Sequence, residues 1–208
     1  MSLVRAFNIS MSVDGFVAGP DQSIDHPLGL GGEALHEWVF PPGGVSGTDA
    51  EFAARRERGV GATIMGRNMF GPIRGGWGEG DWRGWWGEDP PFHHPTFVLT
   101  HHPQEPIEMA GGTTFHFVTD GIESALARAH DAAGEADVAI GGGASTLRQY
   151  LRAGLVDDLH VVVVPILLRH GEPLFADLGD ALADYRIAEH VATDRVSHVR
   201  LVHSRTVE

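Results

Sequence analysis

Apolar and polar residues alternate in short blocks along this chain, and each block reads as an element. Leu3 to Met11 is apolar-rich with loose alternation, which predicts a first strand. Ser12 to Asp25 follows with Asp14-Gly15 and Gly19-Pro20-Asp21, both turn signals. After a glycine-rich break at 29–32, Leu35, Trp38 and Val39 recur at helical intervals and predict a helix over 33–40, ended by Pro41-Pro42-Gly43-Gly44. Thr48 or Asp49 is placed to cap a second helix running to about Arg58. Val60 to Met65 predicts a strand, followed by Gly66 and a short helix start. Thr96 to Thr100, Thr113 to Val118 and Asp137 to Ile140 predict further strands. Ile122 to Ala133 is an amphipathic helix capped by Thr119 or Asp120, and Ala144 to Ala153 is a helix entered from three glycines. From there the pattern turns to strands: Asp158 to Pro165, Tyr185 to Val191 and Ser197 to His203. Alternating β and α with a β-rich tail predicts an α/β domain whose central, mostly parallel sheet ends in antiparallel C-terminal strands.

The chain has 208 residues, a length that suits one domain, and neither an internal repeat nor an interdomain linker interrupts it. Its formal charge is −13, which argues against nucleic acid as a partner. All fifteen basic residues are arginine, so lysine Schiff bases and P-loop lysines are excluded. Cysteine is absent too, which removes disulfides, thiolate nucleophiles and cysteine-bound zinc. Thirteen histidines lack a metal-type spacing, so no metal is expected. The first eleven residues lack a signal-peptide core, and no window nears the ~20 apolar residues of a membrane span. A cytoplasmic protein with no membrane partner is expected.

Three strand ends carry candidate chemistry. Val138-Ala139-Ile140 runs into Gly141-Gly142-Gly143 and then a helix, so the backbone can approach a ligand and the helix start offers unpaired N–H donors to a phosphate. A plain strand-to-helix turn explains the same residues. Thr63-Ile64-Met65-Gly66-Arg67-Asn68 repeats the layout with an arginine at the mouth, where a guanidinium grips phosphate with two parallel bonds or else lies on the surface. Thr100-His101-His102 forms a third mouth. Two phosphate mouths in one sheet suit a dinucleotide.

The loop Asp14-Gly15-Phe16-Val17-Ala18-Gly19, the strand end Met65-Gly66-Arg67 and the strand end Ile140-Gly141-Gly142-Gly143 occur in that order. Together, from Val4 to about Val202, they resemble the dihydrofolate reductase superfamily, in the branch holding the reductase domain of the bacterial riboflavin-pathway deaminase-reductase. The resemblance implies a dihydrofolate reductase-like three-layer fold, NADPH as cofactor and a homodimer. It implies that Arg67 grips the 2′-phosphate with Gly66, Asn68, Thr100 and His101 beside it. Gly141, Gly142, Gly143, Ala144, Ser145 and Thr146 match the pyrophosphate loop, and the Gly141-Gly142 bond matches a glycine pair that is cis in dihydrofolate reductases. Ser10, Val17 and Ala18 match positions against the nicotinamide.

The substrate side departs from the family. Asn8 stands where the riboflavin-pathway reductase usually has lysine, and Gly141 where it usually has glutamate. Dihydrofolate reductase has an acidic residue on its first helix, a region flanked here by Glu33 and Glu37. Asp14 is a candidate proton donor, or simply the turn-former before Gly15. His36 is the other acid/base candidate, against a plain helix histidine. Trp77, Trp82, Trp85 and Trp86 crowd a loop from Gly71 to Pro95 that also holds Gly75, Gly76, Gly78, Gly80, Gly84 and Gly87. Trp77 and Phe92 are the pocket candidates, while the other rings anchor the loop. Leu159 to Ile166 is a candidate dimer surface. The reading is an NADPH-dependent reductase acting on a small heterocycle or ribosylamine, as in the phosphoribosylaminouracil reductase of riboflavin biosynthesis. The alternatives are a dihydrofolate reductase and a dinucleotide-binding sensor without turnover.

Overall fold

The computed structural model describes residues 2–71, 75–78 and 81–206; Gly80 of the glycine-rich loop lies outside them. The strands are β1 (Val4–Ser12), β2 (Phe16–Ala18), β3 (Val60–Gly66), β4 (Pro95–Leu99), β5 (Ile107–Glu108), β6 (Thr114–Val118), β7 (Asp137–Gly142), β8 (Asp158–Val164), β9 (Glu172–Pro173), β10 (Tyr185–Ala192) and β11 (Ser197–His203). The helices are α1 (Gly47–Ala54), α2 (Arg67–Phe70), α3 (Ile122–Ala133) and α4 (Ala144–Arg152). One nine-stranded sheet runs in the order β10-β11-β8-β1-β7-β3-β4-β6-β5. From β8 to β6 every neighbouring pair is parallel, and β11, β10 and β5 join antiparallel.

The α/β expectation holds, and the reason lies in strand burial. β3 and β8 present almost unbroken runs of buried residues, as strands covered on both faces must. α4 buries Leu147, Tyr150 and Leu151, turns Arg152 outward and sets the half-buried Arg148 on the Pro173 carbonyl. The Tyr150 hydroxyl donates to the Ile122 carbonyl at 2.8 Å, tying α4 to the start of α3. β7 lies between β1 and β3, so the chain reverses its direction of travel across the sheet there. Ligands of open α/β sheets bind outside the carboxyl ends of the strands at such a switch point.

Several sequence expectations are corrected. The predicted helix over 33–40 is one 3-10 helix, Gly32–His36, entered through Gly31 in the left-handed region. Its continuation closes by short-range bonds from the Val39 and Phe40 amides to the His36 carbonyl. α1 runs from Gly47 to Ala54 with Ser46 at its N-cap, because Asp49 turns inward to His198 and does not cap. α3 is capped at Gly121, and Asp120 instead accepts from Ser124 and Arg128. For the Leu159 to Ile166 segment, β8 pairs with β1 and β11 and all its residues but Val163 are buried, which matches its other reading, burial within one subunit. A small ribbon, β2 with β9, had no sequence signal.

Burial also fixes a pH response. His36, His94 and His160 are held below the ordinary histidine value chiefly by desolvation, and His160 is pushed down to about 3. The unfolded chain therefore binds protons that the folded chain refuses, so stability is lost as pH falls below ~6.5, while the stretch above it is flat. His160 alone accounts for ~2 kcal/mol between pH 8 and pH 5. We expect Tm to fall by roughly 4–8 °C over that interval. A His160→Gln variant whose Tm dropped as far as the wild type would refute this assignment.

Candidate functional site

The carboxyl ends of β1, β7, β3 and β4 open into one groove of about 1190 Å³. Neighbouring strands lie ~4.8 Å apart, so the floor from β1 to β4 spans roughly 14 Å. At the β4 end lie Thr100, His101 and His102; in the middle lie Gly66, Arg67 and Asn68 from β3 and α2, then Gly141, Gly142 and Gly143 from β7. Ala144, Ser145 and Thr146 bring the start of α4 into the wall. At the β1 end lie Asn8 and Ser10, with Val17 and Ala18 of the β2 ribbon.

Local packing explains the glycine-lined middle of the groove. A Cβ on Gly66 would stand 2.3 Å from the Thr146 hydroxyl oxygen, so β3 and α4 meet closely because this residue has no side chain. Gly142 has φ +130°, a conformation that L side chains rarely adopt. The peptide between Gly142 and Gly143 is cis, one residue later than the sequence comparison places it. Among the described residues no side chain caps α4, so its first amides carry the partial positive charge of the helix end into the groove. The Arg67 guanidinium stacks on the Trp77 ring at 3.7 Å and donates to the Gly76 carbonyl at 3.2 Å. Trp77 is fixed in turn: its Nε1 donates to the His102 carbonyl, and its ring packs edge-on against Phe70 and Phe117. An uncapped helix start and a braced guanidinium in one groove fit the phosphates of a dinucleotide, which the residues Gly142–Thr146 and Arg67 would hold.

All fourteen residues that sequence reasoning assigned to the cofactor line this groove: Ser10, Val17, Ala18, Gly66, Arg67, Asn68, Thr100, His101, Gly141, Gly142, Gly143, Ala144, Ser145 and Thr146. The substrate and catalytic candidates fare differently. His36 lines the groove, and desolvation, with the Arg56 charge as a lesser cause, pulls it below its ordinary value, so it is a neutral imidazole at pH 7. Asp14 does not line it. Its exposed carboxylate accepts the Ser12 hydroxyl at 2.5 Å and the Leu168 and Arg169 amides at 3.2 and 2.7 Å, bracing a turn. The Ser12 bond above all holds its pKa down, so Asp14 stays ionised and is a poor proton donor; the catalytic assignment is corrected. Phe92 is buried in a cluster with Met65, Phe70, Val98 and Phe115, away from the groove. Trp77 is a brace for Arg67 and not a pocket wall.

The structure adds residues that the sequence did not single out. Trp85 and Trp86, and not Trp77, reach the groove. Trp38 donates its Nε1 proton to the Ser10 hydroxyl oxygen at 2.9 Å, a buried bond that fixes Ser10. Arg56, from the turn after α1, joins Glu33, Glu37 and Glu57 around the β1 end. Burial pulls its pKa down, and among the described residues no acceptor lies within hydrogen-bonding or ion-pair reach of its guanidinium. An arginine directly after another, just past the end of a short helix, carries no signal that separates it from a surface residue.

Comparison with known proteins places this geometry. The chain matches the family described as the RibD C-terminal domain over residues 6–206. A riboflavin biosynthesis protein from Shewanella sp. PV-4 superposes with TM-score 0.66 at 24% identity, covering 98% of this chain and 99% of its own. Dihydrofolate reductase from Enterococcus faecalis, solved with NADP(H), gives TM-score 0.57 at 15% identity over 97% of this chain and 96% of its own. RibD from Acinetobacter baumannii gives 0.58 at 19% identity over 98% of this chain, which spans 58% of that protein's length. No curated protein sequence matches the chain. A family match over nearly the whole length, on a dihydrofolate reductase-like sheet with its glycine-lined groove, makes this chain a member of the RibD C-terminal domain family.

Proposed function

We propose that the protein is an NADPH-dependent reductase that transfers a hydride to a small heterocyclic or ribosylamine substrate. The observation that carries this is the convergence of the fourteen assigned positions on one groove, whose volume of about 1190 Å³ exceeds the ~300–1,000 Å³ of a single small-ligand pocket. Two ligands side by side account for the excess. Bound NADPH would supply the hydride. The chain's own work is to hold and orient: Arg67 at the 2′-phosphate, the α4 start at the pyrophosphate, Val17 and Ala18 over the nicotinamide position. With Asp14 outside the groove and His36 neutral, proton access runs through water held among the polar side chains at the β1 end.

Support for an anionic substrate comes from Arg56. The family's usual lysine is lost at Asn8, yet the Arg56 guanidinium, with the Glu57 charge beside it and no hydrogen-bonded acceptor among the described residues, stands in the same groove. A phosphate or carboxylate on the substrate would complete it. Oxidation of NADPH, followed with the riboflavin-pathway phosphoribosylaminouracil, dihydrofolate and pterins, tests the reading. We expect turnover with the first. Replacing Arg56 by alanine should raise its KM by roughly tenfold or more with little change in NADPH affinity. Turnover of dihydrofolate alone would favour that substrate, for which the groove-lining Glu33 and Glu37 supply acidic partners. NADPH binding with silence across the panel would favour a sensor.

A further inference from the structure

Two polar groups line the groove without being satisfied by the protein. Arg56, in the turn after α1, has only the Glu57 charge beside it and no hydrogen-bonded acceptor among the described residues. His36 ends the 3-10 helix, and its Nδ1 is buried with no hydrogen-bond partner among the described residues. The two come from separate segments, yet they stand close enough for the Arg56 charge to act on the His36 ring. A buried polar atom left unpaired is destabilising, and a buried charge more so. Two such groups within reach of each other point to a partner supplied from outside the chain.

Three influences act on His36. Burial disfavours its cation most, the Gly32 carbonyl at the start of the same 3-10 helix favours it, and the Arg56 charge disfavours it. Glu33 and Glu37 flank the ring along the chain, and Glu57, Glu172, Arg67, His101 and His102 also line the groove, but none of them contributes to the shift. β1 and β2 pack against the 3-10 helix. β2 has no titratable side chain, and β1 has only Arg5, paired with Asp137 near the start of the strand. An anion set against both groups would cancel the Arg56 charge and give the buried imidazolium a counter-charge. One cause of the depression is thereby removed and the other offset, while the Gly32 carbonyl still favours the cation.

We propose that Arg56 and His36 form one subsite for a phosphate on the substrate, and that His36 takes up a proton as that phosphate binds. A guanidinium and an imidazolium together carry two positive charges, which a phosphate dianion balances and a carboxylate does not. The proposal rests on the reductase reading for whose phosphate it is, but the subsite belongs to the protein without cofactor. Linkage sets the direction of its pH dependence. If the anion raises the His36 value by about one unit, protonation of His36 tightens the anion about tenfold. Affinity is then highest at pH below the free-protein value, itself under ~6.5, and falls as pH rises through the bound-state value. Sulfate is the probe, because it stays a dianion across the histidine range of about pH 5–8. Histidine ring NMR signals are followed against pH with and without sulfate, and the signal missing from His36→Gln is assigned to His36. We expect saturating sulfate to raise the His36 value by about one unit or more, and acetate to raise it by less. In Arg56→Ala the free His36 value should rise toward its ordinary one, since a depressing charge is gone, and the response to sulfate should shrink. Arg67→Ala removes the other guanidinium of the groove and should leave that response intact.

A His36 signal indifferent to sulfate would overturn the proposal, as would a response that survives Arg56→Ala undiminished or is lost in Arg67→Ala. Acetate matching sulfate would overturn the choice of phosphate. The wild-type titrations decide the matter even where a variant does not fold. Turnover reads the source of the phosphate. The riboflavin-pathway ribosylamine stripped of its phosphate should show a KM about tenfold higher in the wild type and a much smaller penalty in Arg56→Ala. Equal penalties would detach the subsite from the substrate. Failure of the reductase reading looks different: His36 answers sulfate, while NADPH is neither bound nor oxidised.

Discussion

Replacing Arg67 with alanine should weaken NADPH binding by roughly ten- to a hundredfold and leave NADH within about twofold, as expected for loss of charge-assisted bonds to one phosphate. The argument is geometric. Arg67 begins α2 at the mouth of β3, and its guanidinium is pressed flat on Trp77 with one nitrogen spent on the Gly76 carbonyl. Trp77 is held by His102 and by two phenylalanines, so the cation is pre-organised before any ligand arrives. Arg67→Lys should recover only part of the loss, because an ammonium neither stacks as a plane nor makes two parallel bonds. Fluorescence or calorimetric titration of both nucleotides measures it. Equal losses for NADPH and NADH would remove Arg67 from the 2′-phosphate.

Gly171→Ala should cost about 2–5 kcal/mol of stability and disable the nicotinamide end of the groove. Gly171 has φ +140°, and a Cβ there would stand 2.0 Å from the Ala18 carbonyl oxygen and 3.0 Å from the carbonyl carbons of Ala18 and Gly19. Backbone cannot rotate out of the way as a side-chain tip can. The contact is the seam of the β2–β9 ribbon, where Ala18 pairs with Glu172 and the Leu174 amide donates to the Gly15 carbonyl. Val17, Ala18, Glu172 and Leu174 all line the groove, so opening the seam displaces its roof. Thermal unfolding should show the loss of stability, and NADPH titration a weakened affinity in the protein that remains folded. A variant with unchanged Tm and unchanged affinity would show that the ribbon tolerates the insertion and does not roof the site.

These two residues differ in how visible they were. Arg67 stands in a strand–glycine–helix block, a local pattern whose chemistry follows from helix ends and glycine geometry wherever the block lies. The same holds for Gly141–Thr146, and both blocks do open into one groove. Gly171 stands in no such block: its constraint comes from Ala18, far away in sequence, and β2 and β9 are too short to show a period. Asp14 misled for a related reason. An Asp-Gly turn is readable, but whether its carboxylate meets a ligand or the amides of Leu168 and Arg169 is settled by the distant chain that folds over it. Among the tryptophans, composition marked the loop, and packing chose Trp85 and Trp86 for the groove and Trp77 for Arg67.

By itself the sequence determined the β/α order, the glycine-lined strand ends that open into the groove and the exclusion of lysine and cysteine chemistry. Each of these is a matter of residue type or short-range spacing. The tertiary structure alone decided that Arg56 lines the groove, that Phe92 is core, and that Asp49, His198, His160 and Asn8 form one chain. Those contacts bridge 38 to 152 positions of sequence, and hydrogen bonds between buried side chains leave no periodic trace along the chain that makes them.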